Sequence, residues 1–201
     1  MFHLRSTACR ALVVTCALLS GLGVLPAAAQ SWHVADGRVT VVCPLTVGGR
    51  FEAKTTAVKG QVTLPEGIRD LDGSFSVDLR TLDTGIGLRN VHLRDNYLEV
   101  SRGPDYETAV LSEVNLDAPP PPRGRSATLG FKGVLSIHGN AKPIAGTAEV
   151  SHKGDVVELK VKFPLRIDAY EIARPTYLGV GVSNQIDVEV RATLKPAATQ
   201  P

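Results

Sequence analysis

Cysteine, methionine, tryptophan, aromatic residues and an excess of either charge are all scarce in this chain. It has three cysteines, one methionine and one tryptophan in 201 residues, and 5% of its residues are aromatic. Nucleic-acid surfaces interleave basic and aromatic side chains. With few aromatics and charges of both signs alternating, no nucleic-acid partner is expected. No HExxH, HxH or CxxC spacing occurs, and neither a G-x-S-x-G elbow nor a glycine-rich phosphate loop. No metal site, cofactor or catalytic residue is therefore expected, and the chain does not read as an enzyme. The one long apolar run, from Ala11 to Leu25, reaches roughly 22 Å as a helix, against a hydrocarbon core of roughly 30 Å. It is too short for a stable membrane anchor.

That run has another explanation. Arg5 and Arg10 precede it, and Pro26-Ala27-Ala28-Ala29-Gln30 follows. A basic segment, an apolar segment and a small-residue cleavage site make a secretory signal. Residues 1–29 are expected to be removed after Ala29, with the remainder exported. Removal takes Arg5 and Arg10 and no acid, so 22 basic residues become 20, against 20 acidic ones. The slight basic balance vanishes. Cys9 and Cys16 leave as well, so Cys43 has no disulfide partner within the chain. Its neighbours Val41, Val42 and Leu45 suit a buried, inert thiol.

What dominates the rest is alternation with a period of two. Val157, Leu159, Val161, Phe163, Leu165 and Ile167 occupy the odd positions of one segment, with Glu158, Lys160, Lys162 and Arg166 between them. From Ile186 to Leu194 the even positions are apolar, and Asp187, Glu189, Arg191 and Thr193 separate them. Such segments are strands with one wet face. Weaker versions span Arg38–Leu45, Phe51–Leu64, Ser74–Leu79, Ala109–Leu116, Thr128–His138 and Ile144–Ser151. Eight or so strands joined by Gly, Asp and Pro turns predict an all-β antiparallel barrel or sandwich. Nothing divides the chain, so residues 30–195 read as one domain and 196–201 as a frayed tail.

Two segments interrupt the strands. Thr84 to Leu98 has Leu88, Val91 and Leu98 at roughly helical spacing and predicts a short helix, capped by Thr84 or Gly87. Pro119 to Pro122 are four consecutive prolines. They cannot sit inside a sheet and predict a stiff surface loop between two strands.

The polar cluster Arg89-Asn90-Val91-His92-Leu93-Arg94-Asp95 has two readings. Arg89 and His92, three apart, share a helix face and could hold an anionic or amide head group. Alternatively, the same residues pair with Asp83 and Asp95 and fasten the segment to the barrel. His138 ends a strand before a turn and suits a structural role. A catalytic reading would need His92 and His138 to meet with a carboxylate.

Several stretches, taken in order, are similar to the YceI-like family. They are Val58-Lys59-Gly60, Asp83-Thr84-Gly85, the segment from Arg89 to Arg94, Tyr97-Leu98-Glu99-Val100, and the hairpin from Gly133 to Pro143. Two places depart from its pattern: Asp36-Gly37-Arg38, and Ala169-Tyr170-Glu171-Ile172, where Glu171 stands at a glycine position.

The resemblance implies an eight-stranded antiparallel lipocalin-like barrel with a short helix at one end. It also implies a periplasmic protein that holds a long apolar ligand in the lumen: a polyisoprenoid, an isoprenoid quinone, or a fatty amide or acid. Val41, Phe51, Phe75, Val77, Phe131, Leu135, Val161, Phe163 and Val188 are the expected liners, with Arg89, His92 and Arg94 at the head group. The alternative is a non-enzymatic interaction module with a filled barrel. A homodimer is left open under both.

Overall fold

The structure is a computed structural model that describes residues 30–64, 69–177 and 179–197. The expected signal segment and its cleavage point lie outside these residues, and so does the tail beyond Ala197.

The longest strand is β1 (Gln30–Pro44). It is followed by β2 (Arg50–Thr55), β3 (Val58–Leu64), β4 (Asp70–Asp78), β5 (Thr108–Leu116), β6 (Ser126–Ile137), β7 (Asn140–Lys153) and β8 (Val156–Arg166). Two short strands, β9 (Thr176–Tyr177) and β10 (Val180–Gly181), precede β11 (Gln185–Pro196). All neighbouring pairs are antiparallel, and β1 pairs with β11, closing the ring. β2 and β3 share one register on β1, with Val39 opposite Thr55 and His33 opposite Gln61. They are one strand broken at Thr56 and Ala57, which leaves a closed barrel of eight.

Three β-bulges shape the wall. Between Val34 and Asp36, β1 carries one residue more than β11. β5 carries an extra residue near Glu113 relative to β6, β4 carries one near Gly73 relative to β5, and Glu113 adopts a left-handed φ of 52°. A bulge bends its strand and reverses which side chains face inward. Hence Trp32 is buried on one side of the first bulge, and Val39 and Cys43 on the other, so the inward positions change from even to odd.

The barrel has two unlike ends. One end collects the β1–β2 loop, residues 79–107, the β6–β7 turn and residues 167–184. The other collects both ends of the described chain, the β7–β8 turn and the four prolines. At the first end, a short helix, α1 (Gly87–His92), widens into one π turn over Leu93–Tyr97. A second, α2 (Pro104–Glu107), leads into β5. The cap of α1 differs from the expected one: Ile86 holds that position with no side-chain bond. Thr84 is instead tied to Asn90, accepting nothing itself. Its backbone N–H and its hydroxyl both donate to Asn90 Oδ1, at 2.8 and 2.7 Å.

Candidate functional site

The inward faces of the strands do not meet. They enclose a cavity of about 770 Å³ that runs from Leu79 and Leu82 at the helical end to Trp32 and the prolines at the other. Its volume falls in the range of ligand pockets, where apolar walls carry few polar groups. All nine expected liners border it. These are Val41 of β1, Phe51 of β2, Phe75 and Val77 of β4, Phe131 and Leu135 of β6, Val161 and Phe163 of β8, and Val188 of β11. They reach the lumen because period-two alternation puts every second side chain on one face of a strand.

Arg89, His92 and Arg94 do not border the cavity. The Arg89 guanidinium lies 4.4 Å from the centre of the ring of Phe51, a cation–π contact with a residue that borders the cavity. Arg94 donates from Nη1 to the Arg80 carbonyl at 3.0 Å, and His92 is exposed. The expected pairing with Asp83 is made by Asn90 instead, whose amide donates to Asp83 Oδ1 at 2.7 Å. That bond, then the Gly85 N–H and the more distant Arg94 charge, hold the Asp83 carboxyl below its ordinary range.

The prolines differ from expectation. Pro119 to Pro122 border the cavity, and Pro121 is buried. The base of their loop is laced to β7: Gly124 N–H donates to the His152 carbonyl, and His152 N–H to the Arg125 carbonyl, at 2.8 and 2.9 Å. The stiff segment is thereby held across the barrel end as part of its wall.

Sequence reasoning also missed Trp32, Gln30, His152 and Arg123, all in this wall. For His152 a signal existed, because the even-numbered apolar positions of β7 point inward and His152 is the next step. For Trp32 the bulge at Val34 and Asp36 hides the phase. The rings of Trp32 and His152 meet edge to face at 5.6 Å, and His152 Nε2 is buried without a hydrogen-bond partner. Cys43 also borders the cavity. Burial pushes its thiol up to about 11, with the Arg89 charge opposing weakly, so it remains a neutral thiol.

His138 has the structural role expected of it and is 6% exposed. Nδ1 lies 3.0 Å from the Tyr170 carbonyl and Nε2 2.9 Å from Glu99 Oε2, which also accepts from Arg102. This cluster fastens the helical insert to the β6–β7 turn, and exposed His92 has no hydrogen bond to it. Among the described residues no three His, Cys, Asp or Glu side chains gather closely enough to hold a metal ion. No helix there is long and apolar enough to cross a membrane.

The family model of the YceI-like domain matches residues 32–194. Among solved structures, a polyisoprenoid binding domain from Saccharophagus degradans, implicated in plant cell wall breakdown, superposes with a TM-score of 0.65 at 13% identity. The match covers 84% of this chain and 99% of that one. BcnA of Burkholderia cenocepacia gives 0.61 at 15% identity, covering 78% and 95%. A mutant of the Campylobacter jejuni YceI protein gives 0.52 at 13%, covering 71% and 82%. At these identities the likeness is one of fold. No curated protein matches the chain.

Proposed function

This chain belongs to the YceI-like domain family, and on that premise we propose that it is a periplasmic carrier or sequestering protein for a long apolar ligand. Polyisoprenoids, isoprenoid quinones and fatty acids or amides are the ligands of matching shape. The observation that carries the reading is the apolar cavity of about 770 Å³ along the barrel. A side-chain-filled barrel working only as an interaction module would leave no such space. The polyisoprenoid-binding description of the Saccharophagus domain and the secretory signal read in residues 1–29 support the same conclusion.

Burying several hundred Å² of apolar chain at about 25 cal/mol per Å² gives several kcal/mol before the costs of association. Binding is non-covalent and needs no catalytic group. Ala148 faces Val161 across β7 and β8, and both border the cavity. The test is native mass spectrometry and lipid extraction of protein purified from its own periplasm, alongside Ala148→Trp. The expected result is a co-purifying prenyl or acyl chain that is lost from the variant, while the β-sheet circular dichroism is kept. A native protein that is always empty and takes up no prenyl or acyl probe overturns the reading.

A further inference from the structure

The cavity is chemically asymmetric along its length, and the asymmetry runs opposite to the sequence expectation. At the helical end it is closed by Leu79, Leu82, Leu98, Ile172 and Val182, all buried. The residues with polar side-chain groups bordering it there are Tyr97 and Cys43, whose thiol is neutral. At the other end it is bordered by Gln30, His152 and Arg123. Among the described residues, the cavity-lining side chains exposed to solvent are Pro119, Pro122 and Arg123. The solvent-exposed part of the cavity's described lining therefore lies at the proline end, and Arg123 is the charged residue there.

We infer that the ligand enters tail-first at the proline end and leaves an anionic oxygen head group, a carboxylate or phosphate, against Arg123. This rests on the carrier reading and adds its polarity: the head-group position belongs to Arg123, with Arg89 and Arg94 far from it at the closed end. Arg123 is held 3.0 Å from Asp155, and both side chains are largely exposed, at 61% and 73%. Exposed pairs of this kind are weak, so an incoming anion can take over the guanidinium, which offers a planar fork of donors to two oxygens. His152 lies deeper, its ring against Trp32, where it suits the first carbons or a second oxygen of the head. The proline segment is stiff before binding, so forming this mouth costs little chain entropy.

The single tryptophan makes the polarity measurable, because Trp32 borders the cavity at the proline end. Stearic acid bearing a nitroxide near its carboxylate and stearic acid bearing it near the methyl end are titrated against the intact protein. The probe labelled near the carboxylate is expected to quench Trp32 fluorescence more strongly. Arg123→Ala is expected to weaken stearate binding about tenfold, about 1.4 kcal/mol, and to leave a neutral fatty amide unaffected. Arg123 is exposed on a loop, so folding is not at risk. Stronger quenching by the methyl-end probe, or a loss on Arg89→Ala with none on Arg123→Ala, overturns the inference and leaves the carrier reading standing. Absence of uptake of either probe overturns both.

Discussion

Phe131 and Phe163 meet edge to face across the lumen wall, with centroids 6.2 Å apart and planes at 85°. They stand on β6 and β8, with β7 between them. The residue of β7 that passes beneath is Gly146, opposite Phe131 in the ladder. A Cβ there would collide with the Lys162 carbonyl and come within 2.8 Å of both the Phe131 ring and Phe163 Cβ. The aromatic pair is possible because this one position has no side chain.

Gly146→Ala should therefore lower unfolding free energy by about 2–3 kcal/mol, the cost of overpacking a fitted interior. Urea denaturation followed by circular dichroism measures it. The neighbouring exposed substitution Ala145→Ser, with the side chain outside, should change stability by less than about 0.5 kcal/mol. A Gly146→Ala protein as stable as the parent would mean that the strands are free to separate there.

Glu171 caps a 3-10 turn over Ile167–Tyr170 with φ at 58°, in the left-handed region. This is the place where the family resemblance calls for glycine. A side chain in that conformation costs about 1–2 kcal/mol, and glycine loses part of the gain through the freedom of its unfolded chain. Glu171→Gly should raise stability by about 0.5–1 kcal/mol, seen as a higher melting temperature in calorimetry. A lower melting temperature would mean that Glu171 makes a stabilising contact that outweighs its backbone strain.

Asp168 accepts from Arg166 Nη2 at 2.8 Å and from Nε at 3.2 Å. That bond leads the causes that bring its carboxyl from 3.8 to about 2. A depressed carboxylate contributes stability above its unfolded value and loses it as the pH falls through the folded one. The melting temperature should therefore decline between about pH 4 and pH 2, and Asp168→Asn should remove part of that slope. The pair is largely exposed, at 67% and 48%, so the contribution is small and should shrink in 1 M salt, where the Debye length is about 3 Å. A parent–variant difference that grows toward pH 2 would contradict the assignment.

The strands and their inward faces could be read from the sequence because alternation is local. The odd series from Val157 to Ile167 and the even series from Ile186 to Leu194 each fix which face is apolar. Pairing then only joins those faces. All nine apolar liners followed from this. The helical segment was visible too, though its lock through Asn90 to Asp83 and Thr84 was not. That lock joins residues six and seven apart, a spacing that periodicity does not encode.

By itself the sequence determined that this is a turn-rich antiparallel β protein with one apolar face per strand. It also led to the expectation of a cleaved basic leading segment, which lies outside the described residues, and of a buried Cys43. Alternation, charge and turn residues are properties of neighbours along the chain, so they survive without the fold. Closure of the ring and the lumen inside it were decided only by tertiary structure. The bulge in β1, a single extra residue, reversed the inward phase and brought Trp32 into the wall. The four prolines joined that wall because Gly124 and Arg125 bond to His152, a partner far along the chain. Arg89 and Arg94 stood out by type and spacing, but neither borders the cavity, whereas Arg123 does. A lumen is the space left between strands, and no local pattern says how wide that space is.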